Sequence, residues 1–330
     1  MSNAIDEQID LLLSGKCLET GDIVETSHLS ANNGAGSKET CPTLRNAGQV
    51  GQKTVTYIVA AVILNENGEV LMIQEAKPSC KGKWYLPAGR VENYETLADA
   101  VQREVLEETG LILEPTTLIS IESACGSWFR FVFTGEIMGG SIKSLKEANE
   151  ESLQAAWVKN VEELDLRSHD VLAVIKRGKS YIENKSQVKH PHLLPVSMPF
   201  SNLWLRLVIS CKERATNMLH VLATKGTPLY FPVCEIDLDR SVLSTLHNFM
   251  VEIFGSGVAQ HKPHGLLSLE FSDGERGNGF CMTLLISFKL PLEEVLPTEK
   301  YSWQRISANV AAAMISRLPK NMTVPINVVR

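Results

Sequence analysis

Glu104, Glu107 and Glu108 fall at positions i, i+3 and i+4 of a stretch, Thr96 to Thr109, that lacks Gly and Pro and carries Ala98, Val101 and Val105 at helical spacing. On a helix the three carboxylates share one stripe, which borders the apolar stripe rather than lying opposite it. Like charges at the edge of buried structure repel one another, and a hard divalent cation such as Mg²⁺ or Mn²⁺ relieves that repulsion. Mg²⁺ is commonly held by one or two carboxylates while water and substrate phosphate oxygens complete its shell. A glutamate-rich solvated helix face produces the same triplet, so the triplet alone leaves both readings open.

The flanking residues decide between them. Gly89, Glu95, Arg103, Glu104, Val105, Glu107, Glu108, Gly110 and Leu111 stand at the spacing Gly, five residues, Glu, seven residues, Arg-Glu, aliphatic, any, Glu-Glu, any, Gly, aliphatic. At average residue frequencies this pattern arises by chance with odds on the order of 10⁻⁷. It resembles the signature of the Nudix hydrolases, and Trp84-Tyr85-Leu86-Pro87-Ala88-Gly89 resembles the family's approach to it; the likeness spans about residues 55–180. The resemblance implies an α/β fold, an α/β/α sandwich with a mixed sheet, and hydrolysis of a diphosphate linked to another moiety. It implies a metal, Mg²⁺ or possible Mn²⁺, held by Glu104, Glu107 and Glu108 with the Gly89 carbonyl. It also implies that Glu95 and Arg103 brace the loop and helix as an ion pair. Gly110 is explained by helix termination. The general base is a box glutamate, Glu104 or Glu107, or a carboxylate of the loop before Leu153, for which Glu150 and Glu151 are the candidates and Glu151 is preferred.

The signature does not name a substrate. Ile73 to Lys77, Arg130-Phe131-Val132-Phe133, Glu151 to Trp157 and the long extension with its Val-Pro ending resemble the MutT-related branch that acts on oxidised purine nucleoside diphosphates. That likeness implies cleavage of 8-oxo-dGDP and 8-oxo-GDP to the monophosphate and phosphate, a nucleotide-pool sanitation that prevents oxidative DNA damage. Trp128 and Phe131 are candidates for stacking on the base, and Asp170 for hydrogen bonds to the purine edge or for a plain helix cap. Hydrolysis of ADP-ribose or a related nucleotide sugar stays open, as does a silent fold used for binding.

These residues need elements to position them. Tyr57 to Leu64, an Asn-Glu-Asn-Gly turn and Val70 to Ile73 predict a β-hairpin; strands are expected at Leu118 to Ser123, Trp128 to Ile137 and Leu153 to Val158, and a helix at Val171 to Lys176. Residues 53–180 form the expected catalytic domain and 181–197, rich in Lys, Ser, His and Pro, a linker. Residues 1–52 carry three basic and seven acidic side chains and few large apolar ones, which predicts a flexible tail, relieved only by an amphipathic stretch with Ile5, Ile9, Leu12 and Leu13 on one face. An offset of 145 residues aligns Leu86-Pro87 with Phe231-Pro232 and Gly110 with Gly255. Residues 198–330 thus read as a non-catalytic domain, a degenerate Nudix-like repeat with Cys234, Phe249, Glu252 and Ile253 in place of Gly89, Glu104, Glu107 and Glu108, and as a candidate surface for oligomerisation.

Composition bounds the rest. Lys+Arg 32 against Asp+Glu 38, net −6, with no basic block, argues against a polymeric nucleic-acid partner. No apolar run approaches the ~20 residues of a bilayer span, and Met1 to Asp10 lacks the pattern of a secretory signal, so a soluble, cytoplasmic protein is expected. Seven scattered cysteines without a Cys-x-x-Cys pair indicate neither a disulfide framework nor a zinc site.

Overall fold

In the computed structural model, which describes residues 4–18, 55–124, 128–183, 189–273 and 279–328, the apolar run after Val55 forms β1 (Thr56–Ala61). Asn65 closes the following turn by accepting the Asn67 and Glu69 amides on Oδ1. The expected hairpin opens at once: a single bridge, Leu64 to Val70, joins the two arms, and β2 (Val70–Glu75) leaves to pair with β7 (Ser152–Val158) and β3 (Trp84–Tyr85) in a separate three-stranded sheet. β1 instead lies between β4 (Ala88–Arg90), antiparallel to it, and β6 (Trp128–Gly140), parallel to it, with β5 (Leu111–Ala124) antiparallel beyond β6. Placing Gly89 opposite Val59 fixes where the signature loop begins.

α2 (Leu97–Thr109) starts at Thr96, whose side chain accepts the Asp99 amide, and stops at Gly110, which adopts a left-handed φ of 75° and returns its N–H to the Leu106 carbonyl. Its apolar side, Leu97, Ala100, Val101 and Val105, packs with Val59, Ala61, Phe131 and Phe133 on one face of the sheet. α3 (Asp170–Glu183) covers the other face through Val171, Val174 and Ile175 against Ala60, Val62, Ile119 and Val132. The strict alternation of β6 makes this division, sending Phe129, Phe131 and Phe133 to one side and Arg130 and Val132 to the other.

The second half repeats the order of pairing. β11 (Val233–Glu235) is antiparallel to β9 (Leu203–Lys212), β9 is parallel to β13 (Phe280–Phe288), and β13 is antiparallel to β12 (His261–Phe271). β10 (Leu219–Thr224) and β14 (Tyr301–Arg305) extend this sheet on the β9 side, and α4 (Val242–Phe254) follows β11. Cys234 stands opposite Leu205 as Gly89 stands opposite Val59. Phe249 and Ile253 of α4 are buried, and Cys234 packs against the same core.

Three boundaries differ from expectation. Residues 4–18 are not a free tail: α1 (Ala4–Leu13) buries Ile5, Ile9 and Leu12 against Val221, Leu285 and α5 (Ala308–Ile315), and Asp6 accepts the Ser307 amide that begins α5. The rest of the expected tail, residues 19–52, lies outside the described residues. The expected linker is partly structured, since Leu193 is buried and β8 (Val196–Ser197) pairs with β12. The chain end also returns to the first half, where β15 (Ile326–Val328) runs parallel to β5. One core therefore joins both halves, with Tyr57, Phe129 and Phe131 meeting Phe271 and Phe280 edge to face at ring separations of 4.9–6.2 Å. Among the described residues no helix is long and apolar enough to cross a membrane.

Candidate active site

Helical spacing delivers the three glutamates to one flank of α2, and β4 runs beside that flank. Glu108 is 1% exposed, and its Oε2 accepts the Ala88 amide at 2.9 Å. Glu104, also buried, lies directly over Gly89: any Cβ at residue 89 would overlap its carboxylate. Glycine is required here by close approach and not by an unusual backbone angle. Glu107, whose side chain is 43% exposed, faces solvent on the same stripe.

Arg103 holds this flank together. Its Nε and Nη2 donate to the two oxygens of Glu95 at 2.7 and 2.9 Å, Nη2 also reaches the Arg90 carbonyl at 3.0 Å, and Nη1 donates to Glu104 at 2.8 Å and Glu107 at 3.1 Å. This bidentate pairing ties the loop before α2 to the helix. Burial pushes the Glu104 carboxyl above the ordinary range, with Arg103 opposing the shift and Glu107 adding to it. Burial raises Glu108 well above that range, although the Ala88 amide pulls the other way. Two desolvated carboxylates on neighbouring turns are costly as a pair of anions, and a divalent cation with oxygen ligands offsets that cost. Among the described residues no three such side chains already stand together as a metal cage. Arg103 holds Glu104 and Glu107, and the Ala88 amide holds Glu108. The donor set fits a hard cation, and binding one requires these carboxylates to turn from their present partners.

The C-terminal end of α2 is closed by a residue the sequence reading missed. Lys143 donates Nζ to the Glu107 carbonyl at 2.6 Å, to Asn149 at 3.0 Å and to Ser152 at 2.9 Å, while Ser152 donates to the Glu108 carbonyl at 2.6 Å. A cation at a helix C-terminus meets the carbonyls that lack helical partners. Glu151 sits on the loop so anchored, within electrostatic range of Lys143, and makes no hydrogen bond to a signature glutamate.

A second polar cluster gathers on the α3 side of the sheet. Arg130 is buried, donates Nη2 to Asp170 at 2.6 Å, forms a close ion pair with Glu122, and donates to the Tyr85 hydroxyl. Burial favours the neutral form of Asp170, but hydrogen bonds from Ser168 and Arg130 outweigh it and hold the carboxyl below its usual range. Asp170 is thus the anionic partner of Arg130 as well as the first residue of α3. Trp128 is half-buried with the Arg130 guanidinium 5.6 Å from its ring centre. Arg167 lies over the Tyr85 ring at 4.9 Å and donates to buried Glu75 at 2.7 Å. The short segment from Tyr85 to Ala88 links this cluster to the glutamates. Phe131 does not belong to it: fully buried and packed against Phe271 and Phe280, it has no face to offer a base, which corrects its assignment to substrate. The reason is the alternation that brings Arg130 to the site and turns Phe131 away. A charged residue amid four apolar neighbours was the sequence signal for Arg130.

Comparison with known proteins identifies the family. A family model described as the NUDIX domain matches residues 55–178. The human protein named 8-oxo-dGDP phosphatase NUDT18 is 37% identical over 299 residues, covering 84% of this chain and 88% of the relative. The Danio rerio protein of that name is 32% identical over 339 residues and covers 98% of each chain. Among solved structures, a NUDIX hydrolase from Nitrosomonas europaea is similar at 28% identity and a TM-score of 0.34, covering 38% of this chain and 90% of the other. The chain belongs to the Nudix hydrolase family.

Proposed function

We propose that the protein hydrolyses oxidised purine nucleoside diphosphates, 8-oxo-dGDP and 8-oxo-GDP, to the monophosphate and phosphate with the help of Mg²⁺. The observation that carries the chemistry is the pair of buried carboxylates, Glu104 and Glu108, set against the β4 backbone at Ala88 and Gly89. Support for the substrate comes from the name shared by relatives that match most of the chain. A divalent cation, when bound, neutralises charge on the phosphate oxygens and acidifies a water. Glu104, Glu107 and Glu108 would hold that ion, and Arg103 is fixed by both oxygens of Glu95. Glu107, the exposed carboxylate of the three, takes the proton of the attacking water; Glu151 is the alternative base on the adjoining loop. Asp170, kept ionised and fixed by Arg130, accepts N–H bonds from the purine edge, and Trp128 offers its ring to the base.

In this reading the second half is a Nudix-like fold without catalysis. Phe249 and Ile253 stand where Glu104 and Glu108 stand in the first half, and both are buried among apolar side chains, so a cation would find one carboxylate at the three corresponding positions, Glu252, and no second.

The test is a turnover panel with Mg²⁺ on 8-oxo-dGDP, dGDP, 8-oxo-dGTP and ADP-ribose, using Glu107→Gln as the blank. The expected result is preference for 8-oxo-dGDP over dGDP by about tenfold or more, the scale of one well-placed polar contact. Equal rates, or faster cleavage of ADP-ribose, overturn the substrate. Reaction in ¹⁸O water is expected to place label in phosphate, since attack falls on the β phosphorus. Comparison of Glu107→Gln with Glu151→Gln assigns the base.

A further inference from the structure

Lys176, Arg177, Lys189, Lys262 and Lys320 are scattered along the sequence, but the fold brings them to one cavity. α3 supplies two of them, the chain after α3 a third, the start of β12 a fourth, and the turn leading to β15 the last. The cavity has a volume of about 480 Å³, lies at the junction of the two halves, and shares no residue with the glutamate flank or the Arg130 cluster. Among the described residues no carboxylate lines it, in a chain whose net charge is −6. Five cations converging repel one another; Glu122 of the neighbouring cluster acts on Arg177 at a distance, and none of the five is ion-paired among the described residues.

Two wall groups have unmet hydrogen-bonding capacity. Arg177 is anchored by one weak contact, Nη2 to Asn327 at 3.3 Å, and its buried Nη1 has no partner. His190 is 6% exposed, and its Nε2 also has no partner. Its Nδ1 lies 2.8 Å from the Pro191 carbonyl, which can only accept, so Nδ1 carries the proton and Nε2 of the neutral ring is an acceptor. The His190 ring stacks on Tyr181 at 4.5 Å, and Ile119, Pro319 and Pro325 supply apolar wall. The cavity thus combines cations, a buried acceptor and an apolar side. Its volume lies within the range of small-molecule sites, and its concavity suits a small ligand rather than a polymer, which calls for an open basic stripe.

We propose that this cavity is a second ligand site for a phosphorylated small molecule bearing hydroxyl groups, with the phosphate at Arg177 and the lysines and a hydroxyl donating to His190. Arg177 is the anchor, since it gives the phosphate a planar, always-charged donor whose buried Nη1 has no other partner. The lysines add charge at the mouth.

Calorimetry on the full-length chain without divalent cation tests this, with GMP, ribose 5-phosphate and inorganic phosphate as probes. GMP or ribose 5-phosphate is expected to bind once per chain, more weakly at higher salt. Lys262→Glu combined with Lys320→Glu, both on exposed side chains, is expected to weaken binding about tenfold or more by reversing charges at the mouth. That variant keeps wild-type turnover, which shows that it is folded, and Glu107→Gln keeps wild-type binding, which separates this site from the signature flank. His190→Phe preserves the stack on Tyr181 and is expected to lower affinity for ribose 5-phosphate but not for inorganic phosphate. Absence of binding by both organic phosphates, undiminished binding after charge reversal, or loss of binding in Glu107→Gln overturns the proposal. Inorganic phosphate binding as tightly as the organic probes overturns the hydroxyl contact.

Discussion

Replacing Gly89 with alanine adds one methyl group to a strand residue with ordinary backbone angles, yet it should disable the site. The new Cβ would overlap the Glu104 carboxylate, whose Oε1, Cδ and Oε2 are the three atoms nearest its position. β4 is pinned to β1 by antiparallel pairing at Ile58, Val59 and Ala60, so the strand has little freedom to retreat. The carboxylate is the movable partner. It must rotate outward, giving up the 2.8 Å bond from Arg103 and the location beside the loop where a cation would be held. Misplacing one positioning group by an ångström costs about 10²-fold, and losing a metal-facing carboxylate more, so kcat/KM should fall about 10²–10³-fold. Stability should change little. The lost charged hydrogen bond is worth about 1.5–3 kcal/mol, but a desolvated carboxylate regains water and the substituted chain loses entropy in its unfolded state. The net should lie within about 2 kcal/mol.

The assay pairs steady-state hydrolysis with thermal unfolding for Gly89→Ala, Glu104→Gln and the double variant. If the methyl acts through Glu104 alone, the double variant should be no more than about threefold slower than Glu104→Gln. Multiplicative losses would refute the argument, as would activity of Gly89→Ala within threefold of wild type. So would collapse of its melting temperature, because the backbone would then be the part that moves.

Phe131→Ala should destabilise the protein by about 3–5 kcal/mol, measured by urea unfolding, because it empties a place shared by Phe271 and Phe280; a selective change in base preference without loss of stability would return Phe131 to the substrate site. Ile9→Asp should cost more than about 2 kcal/mol and release α1, seen as new protease sensitivity near the N-terminus, since Ile9 is fully buried between the outer sheet face and α5. Burial lowers the pKa of His190 and His264 below the free value, so the unfolded chain takes up protons first as pH falls. The stability they support is therefore complete above about pH 6.5 and drains away below it, by at most about 1.4 kcal/mol per pH unit for each ring. His190→Phe should flatten that limb of a melting profile between pH 5 and 7; an unchanged profile would exclude His190 as its source. Asp170→Asn leaves the buried Arg130 with one anionic partner instead of two, and should raise KM for the oxidised diphosphate at least tenfold while sparing metal-dependent stabilisation.

What could be read in advance follows sequence distance. Everything bearing on α2 is local: the Thr96 cap, the Gly110 stop, the i, i+3, i+4 glutamates and the Glu95–Arg103 pair lie within one loop and one helix, so their spacing states their geometry. The strands of the first half were legible for the same reason, although β5 begins earlier than its apolar alternation suggested. The Arg130–Asp170 bond joins residues 40 apart, and Tyr85 reaches the same guanidinium across 45, so no periodicity announces them. Phe131 is the instructive error. Its aromatic character suggested stacking, and aromatic it is, but its partners come from β12 and β13, beyond the reach of any local pattern. The hairpin failed likewise, because pairing of β2 with β7 outcompeted the neighbour in sequence.

The second half is held to the first by a shared apolar core. In the first half, the face of the sheet that carries Tyr57, Phe129 and Phe131 is only partly covered by α2, and aromatic surface of that extent left in water would be a liability for a lone unit. Phe271 and Phe280 complete the cover, while β15 adds an edge strand beside Ile121, Glu122 and Ser123. That strand borders the residue, Glu122, that pairs with Arg130, so the end of the chain helps to build the wall behind the Arg130 cluster. Phe249 and Ile253 gave the second half a drier interior where carboxylates stand in the first, and α1 closes its outer face. A half so built holds no cation cage among its described residues, but it supplies the apolar surface and the edge strand that the first half lacks. Its loss should disturb Arg130 and Asp170 before it disturbs Glu104 and Glu108.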